Sequence, residues 1–254
     1  MDDMDVSHVD TRFSRTELLV GETGLRRLTA AHVAIFGLGG VGSYAAEAIV
    51  RASVGRITLI DFDVVELSNV NRQLIALEST VGRPKVEVTR DRMHDIHPSA
   101  QVTAIKAFAG PENLEAILAD IGYVIDAIDS VSAKVELLMA CHRRGIPVVS
   151  CMGAANKINP VGFHVADIRH TRGCPLARTI RHRLRKLGVE QGIPCVYAEE
   201  NQRSLKENVL DGAEGEAALR KSRVQGSISY VPGIVGLTAA GVKAGEWGPI
   251  LGRE

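Results

Sequence analysis

Gly37-Leu-Gly-Gly-Val-Gly42 stands between His32-Val-Ala-Ile-Phe36 and the Ala-rich run Ser43-Tyr-Ala-Ala-Glu-Ala-Ile-Val-Arg-Ala52. The five residues before it form a short apolar run, the pattern of a buried strand. The run after it has the pattern of a helix. Strand, glycine turn and helix make the opening of a nucleotide-binding βαβ unit. Glycines at Gly37, Gly39, Gly40 and Gly42 let the chain turn tightly and approach a ligand closely. The helix that follows offers free N–H groups and a positive dipole end to phosphate. Asp61 ends the next apolar run, Arg56-Ile-Thr-Leu-Ile. An acidic side chain at that distance can hydrogen-bond ribose hydroxyls. On this stretch alone the chain reads as a nicotinamide- or flavin-dependent enzyme.

The residues beyond Asp61 change that reading. Asp61-Phe-Asp63-x-Val-x-x-Ser68-Asn69-x-x-Arg72-Gln73 crowds two carboxylates, two amides and an arginine at one strand end. Arg72 can neutralise phosphate in a bidentate fork. Asn69 and Gln73 add neutral donors. The set suits a triphosphate better than a redox ring. In this order the residues resemble the ubiquitin-activating-enzyme-like (ThiF/MoeB) superfamily, whose members adenylate carboxylates.

The chain has 254 residues, 45% of them hydrophobic, with 30 basic and 30 acidic side chains. That length carries a substantial core, and zero net charge points to no particular partner. No apolar run reaches the roughly 18 residues of a membrane span. The acidic start, Met1 to Asp10, is no signal peptide. Cys141, Cys151, Cys174 and Cys195 show no close pairing, which fits a reducing cytoplasm. Structural zinc needs close thiolate pairs, so none is expected, and the cysteines read as core packing.

Residues 1–11 read as a flexible tail, and a short helical segment starts near Arg12, with a second apolar-periodic piece running to Ala31. Pro84 suits a helix start and places Lys85 in a first turn. Further helices are expected over 86–97, 111–119 and 131–144, with strands at 101–105, 123–130 and 146–150. That alternation predicts a doubly wound, mostly parallel α/β sheet. Asp129 follows Tyr123-Val-Ile-Asp126 at the carboxyl end of a parallel strand, where ligands collect. A carboxylate facing a triphosphate is unfavourable without a cation between them, so Asp129 is a candidate Mg2+ ligand. Asp126 reads as structural. Beyond Ser150, apolar runs flank the turn Asn159-Pro-Val-Gly162 and suggest antiparallel strands extending the sheet. Residues 12–254 thus read as one domain, with a nucleotide-binding part (12–150) and a substrate-side part (151–254). The latter holds a polar mobile loop over 201–225 and a small-residue helix over 233–244.

Residues 169–186 carry Arg169, Arg172, Arg178, Arg181, Arg183, Arg185 and Lys186 and no acid. A solvated helix face explains such a run, and so does contact with a phosphate backbone.

The resemblance implies more than the residues alone. It implies ATP as substrate, with Lys85 of Gly82-x-x-Lys85 on its phosphates and Asp129 as the essential aspartate. It also implies a homodimer in which Arg15, or Arg12 in its place, reaches the partner subunit's ATP site. Ala127-Ile-Asp-Ser130, Ser150-Cys-Met-Gly-Ala-Ala-Asn-Lys157, Cys174-Pro-Leu-Ala-Arg178 and Gly226-Ser-Ile-Ser-Tyr-Val-Pro232 are similar to the tRNA threonylcarbamoyladenosine dehydratase branch of this superfamily. That branch adenylates the carboxylate of threonylcarbamoyladenosine in tRNA and cyclises it. Some members work beside a cysteine desulfurase system. The basic residues Arg178, Arg181, Arg183, Arg185 and Lys186 then become candidates for tRNA contact. The alternative within the superfamily is adenylation of the C-terminal glycine of a small sulfur-carrier protein. Its enzymes typically carry zinc-binding Cys-x-x-Cys pairs, which this sequence lacks.

Overall fold

The computed structural model describes residues 11–199 and 225–242. Seven strands form one sheet: β1 (His32–Phe36), β2 (Arg56–Ile60), β3 (Gln101–Ile105), β4 (Tyr123–Asp126), β5 (Val148–Cys151), β6 (Phe163–Asp167) and β7 (Pro194–Ala198). Their order is β3-β2-β1-β4-β5-β7-β6. Every pair is parallel except β6 with β7. Strand order reverses between β1 and β4, which makes their carboxyl ends the crevice where such sheets bind ligands.

Among the described residues the α-helices are α1 (Ser14–Ala30), α2 (Gly42–Arg51), α3 (Lys85–Ile96), α4 (Pro111–Ile117), α5 (Val131–Arg144), α6 (Pro175–Lys186) and α7 (Tyr230–Gly241). Both faces of the sheet are covered. Val33 and Ile35 of β1 join residues of α2, α3 and α7 in one core. Ala34 and Phe36 join residues of α4, α5 and α6 in the other. A strand covered on both sides reads as an unbroken apolar run, which is why His32–Phe36 is legible as a strand.

Two pieces meet within α1 at Gly21, whose φ of 70° breaks the helix. The flexible tail expected over residues 1–11 and the polar loop expected over 201–225 lie almost wholly outside the described residues. The last helix begins at Tyr230, ahead of the expected Gly233, because Pro232 in its first turn has no N–H that the helix would need.

An antiparallel pair extends the sheet as expected, but the runs on either side of Asn159–Gly162 do not pair with each other. The apolar run before the turn is β5, and it does not pair with β6. Instead β7 lies between them, parallel to β5 and antiparallel to β6. The chain from Met152 to Gly162 is no strand. Asn156 takes φ 58° there, a left-handed conformation that breaks extended pairing. Its amide donates to the Gly226 carbonyl and its side chain accepts from Gly226 N–H. This segment folds over the carboxyl ends of the strands.

Candidate active site

A cleft of about 590 Å³ opens at the carboxyl ends of β1, β2 and β4. Its size falls within the range of small-molecule sites. Gly37, Gly39, Gly40, Asp61, Asp63, Asn69, Arg72, Gln73, Lys85 and Asp129 all line it. The sequence therefore foresaw a set of residues from four separate segments that the fold brings to one wall.

The glycines divide by task. Gly37 adopts φ 86°, and a Cβ there would stand 2.8 Å from the Ala127 carbonyl oxygen. At Gly42 a Cβ would meet the Gly37 carbonyl oxygen at 1.7 Å. Gly42 is not among the residues that line the cleft. It closes the turn and lets α2 approach β1. The N–H groups of Gly39, Gly40 and Val41 make no backbone hydrogen bond among the described residues. These three residues line the cleft just before α2, an arrangement suited to anions.

Asp61 is buried, and its carboxylate accepts from Leu38 N–H at 2.6 Å and from Asp63 N–H at 2.8 Å. It therefore braces the glycine loop while retaining acceptor capacity toward the cleft. Lys85 is buried and donates from Nζ to Asp63 Oδ2 at 2.9 Å. Its backbone N–H also donates to the Asp63 carbonyl at 3.1 Å. That double link, with the antiparallel bridge between Val64 and Pro84, fixes the ammonium at the cleft. Two of its three N–H donors stay free of Asp63.

Arg72 Nη1 donates to the Ser68 carbonyl and to Asn71 Oδ1, each at 2.9 Å. The other guanidinium donors remain for a ligand. Asn69 is buried and braces its own turn, accepting from Glu66 N–H at 3.2 Å. Gln73 is buried too, and its Oε1 has no hydrogen-bond partner among the described residues. A buried orphan acceptor is costly and is relieved by a ligand donor or an ordered water.

Asp129 is exposed at the cleft and makes no hydrogen bond or ion pair to a described residue. One hard oxygen ligand beside a phosphate site fits Mg2+, which keeps several waters and binds through one or two carboxylates plus phosphate oxygens. No cluster of three or more His, Cys, Asp or Glu that could hold a metal exists among the described residues. The cation would accordingly depend on the nucleotide for most of its ligands.

Two lining side chains escaped the sequence reading. Phe62 and Phe108, 54% and 49% exposed, face each other with ring centroids 5.5 Å apart. They form an aromatic wall beside Asp61. Phe62 carried a signal, as the apolar residue between Asp61 and Asp63 at a strand end. Phe108 carried none, since it lies in a loop.

Arg15 lies on the exposed side of α1 and is not a lining residue. Leu18 and Leu19, one turn further on, are 79% and 88% exposed. On α6, Arg181 is half-buried, and its Nη1 donates to the carbonyls of Thr171 (2.9 Å) and Ile168 (3.3 Å). Arg178, Arg183, Arg185 and Lys186 form the exposed basic face, with Arg183 touching Ser132 Oγ at 3.2 Å. Leu176, in the first turn of the same helix, lines the cleft.

All four cysteines are buried. Burial, opposed by the nearby Lys134 ammonium, pushes the Cys151 thiol up to about 12. A thiol held protonated in this way is a poor nucleophile, although Cys151 borders the cleft.

The ThiF family profile matches residues 13–242. The chain belongs to the ThiF family. The tRNA threonylcarbamoyladenosine dehydratase of Bacillus subtilis is 44% identical over 234 residues, covering 91% of this chain and 92% of that protein. The crystal structure of E. coli tRNA N6-threonylcarbamoyladenosine dehydratase, TcdA, in complex with ATP superposes with a TM-score of 0.80 at 37% identity, covering 91% of each chain. The AMP complex of the same enzyme gives 0.82 at 36% identity, with the same coverage. More distant, the E. coli molybdopterin-synthase adenylyltransferase is 34% identical over 189 residues, covering 74% of this chain and 72% of that protein.

Proposed function

We propose that this ThiF-family chain is an ATP-dependent tRNA threonylcarbamoyladenosine dehydratase. The observation that carries the reading is the cleft itself. Free N–H groups, Lys85, Arg72 and the unpartnered Asp129 converge there, in a chain similar over nine-tenths of its length to dehydratases of that name.

In this reading the triphosphate lies over Gly39 to Val41, with Arg72 and Lys85 on its phosphates. Asp61 takes the ribose hydroxyls, and Phe62 and Phe108 wall the cleft beside it. Asn69 and Gln73 add polar contacts along the phosphates. Asp129 would hold Mg2+, which supplies charge neutralisation to the phosphates when bound. The carboxylate oxygen of the modified nucleoside attacks the α-phosphorus, and pyrophosphate leaves. The activated carboxyl carbon then closes on the carbamoyl group of the same nucleoside, and AMP leaves. Both steps rest on positioning and fixed charge. Ring closure within one molecule needs no acceptor thiol, which agrees with the buried state of Cys151.

The active form is proposed as a homodimer. Exposed Leu18 and Leu19 beside Arg15 give α1 an apolar surface that a second copy would cover. Arg15 of the partner subunit would complete the phosphate site. Among the described residues no helix is long and apolar enough to cross a membrane. The cellular test is nucleoside analysis of tRNA from a strain lacking this chain. The cyclic nucleoside disappears and threonylcarbamoyladenosine accumulates; an unchanged profile contradicts the reading.

The tRNA backbone is assigned to α6, whose first turn reaches the cleft. With Arg181 tied to its own backbone, the contacts fall to Arg178, Arg183, Arg185 and Lys186. Changing Arg178, Arg185 and Lys186 together to Ser should lower tRNA affinity. It should also flatten the log-log salt slope by roughly 0.9 per lost duplex contact. ATP binding should stay unchanged, because none of the three lines the cleft. Wild-type tRNA affinity and slope in filter binding would make this face a solvated one.

A further inference from the structure

Beneath the cleft lies an ion pair that the proposed chemistry does not use. Lys134 of α5 and Asp126 at the end of β4 are both fully buried, with Nζ to Oδ2 at 2.7 Å. The same ammonium donates to the Cys151 carbonyl at 3.0 Å and to Ser150 Oγ at 3.4 Å. Its three N–H donors therefore have three acceptors. Asp126 Oδ2 also accepts from Ser150 Oγ at 2.6 Å, and its Oδ1 accepts from Ile128 N–H at 3.1 Å.

A buried ion pair is a poor way to gain stability, since apolar side chains of like volume do as well or better. Leu137, Leu138 and Cys141 of the same helix belong to the surrounding apolar core. What the pair does is local. It ties the ends of β4 and β5 to α5 at the point where both strands become cleft wall. Ala127, Ile128, Asp129, Cys151 and Met152 all line the cleft. Ala127 is fixed on its other side, where its N–H donates to the Phe36 carbonyl at 2.8 Å. A network with every donor and acceptor met is rigid, and here its last link is the amide next to Asp129.

We infer that Lys134 is a positioning residue for the reaction proposed above. It orients Asp126, whose free oxygen pins the Ile128 N–H and so sets where the Asp129 carboxylate stands. Lys134 touches neither substrate in this arrangement. The inference rests on the dehydratase reading for its kinetic consequence, not for its structural one.

The test is the double variant Asp126→Leu/Lys134→Met, which removes both charges and leaves none unpaired. Amide hydrogen exchange on the nucleotide-free protein should show residues 127–129 exchanging at least ~10-fold faster, with α5 unchanged. Turnover of threonylcarbamoyladenosine tRNA should fall about 30-fold in kcat, with KM for ATP within roughly twofold. If the double variant does not fold, Lys134→Arg takes its place. Arg keeps the charge but cannot give three N–H bonds in the ammonium's directions, so faster exchange at 127–129 is again expected. Wild-type protection at 127–129 or wild-type kcat in the folded variant overturns the inference. If wild-type protein fails to turn over that tRNA, the dehydratase reading fails, and the exchange result still decides whether Lys134 holds the loop.

Discussion

Asp129→Asn leaves a folded protein with at least roughly 100-fold less activity. The carboxylate is exposed and makes no bond to a described residue. Its loss therefore removes nothing from the core, and substitutions at such positions stay within about 0.5 kcal/mol. The amide keeps the shape but not the charge, so it cannot act as a hard anionic ligand beside a triphosphate. Thermal unfolding and ATP-dependent turnover, measured on the same preparation, check this. A melting temperature that falls in step with activity would give Asp129 a structural role.

Gly42→Ala should act in the opposite way. The added methyl would lie 1.7 Å from the Gly37 carbonyl oxygen, and that atom is backbone. No flexible side chain can yield, so the turn or the seating of α2 on the sheet must shift. Overpacking of this kind costs about 3 kcal/mol, or roughly 6–12 °C in melting temperature for a chain of this size. Gly39→Ala is the control. A Cβ there meets nothing nearer than Gln73 Nε2 at 3.9 Å, so stability should hold while ATP binding weakens. Equal stability of the two variants would mean that Gly42 is not the packing glycine of the loop.

That contrast shows what was legible in the sequence. The glycine spacing announces a phosphate loop but cannot say which glycine meets ligand and which meets backbone. Buried parallel strands were legible because a strand covered on both faces is apolar throughout. Placing β7 between β5 and β6 was not, since a turn signal at Asn159–Gly162 says nothing about which strand fills the neighbouring slot. Asp61, Asp63, Lys85 and Asp129 were legible because each is a polar residue just past a strand or at a helix start, and Arg72 was legible from the ordered motif after Asp61. Lys134 was not. In Val131-Ser-Ala-Lys134-Val it looks like one more solvated helix residue, and only the fold reveals that it points inward to Asp126. Nor was the tie between the Arg181 guanidinium and the backbone of residues 168–171 legible.

The central claim is that the carboxylate activated in this cleft belongs to a modified nucleoside in tRNA. It is tested most directly by incubating the purified protein with ATP, magnesium and tRNA carrying threonylcarbamoyladenosine, then digesting the tRNA and weighing its nucleosides. A parallel reaction contains a small sulfur-carrier protein ending in glycine. The account predicts a nucleoside lighter by one water, with AMP and pyrophosphate formed in equal amounts, and an unmodified carrier. Unchanged threonylcarbamoyladenosine together with an adenylated carrier C-terminus would contradict it.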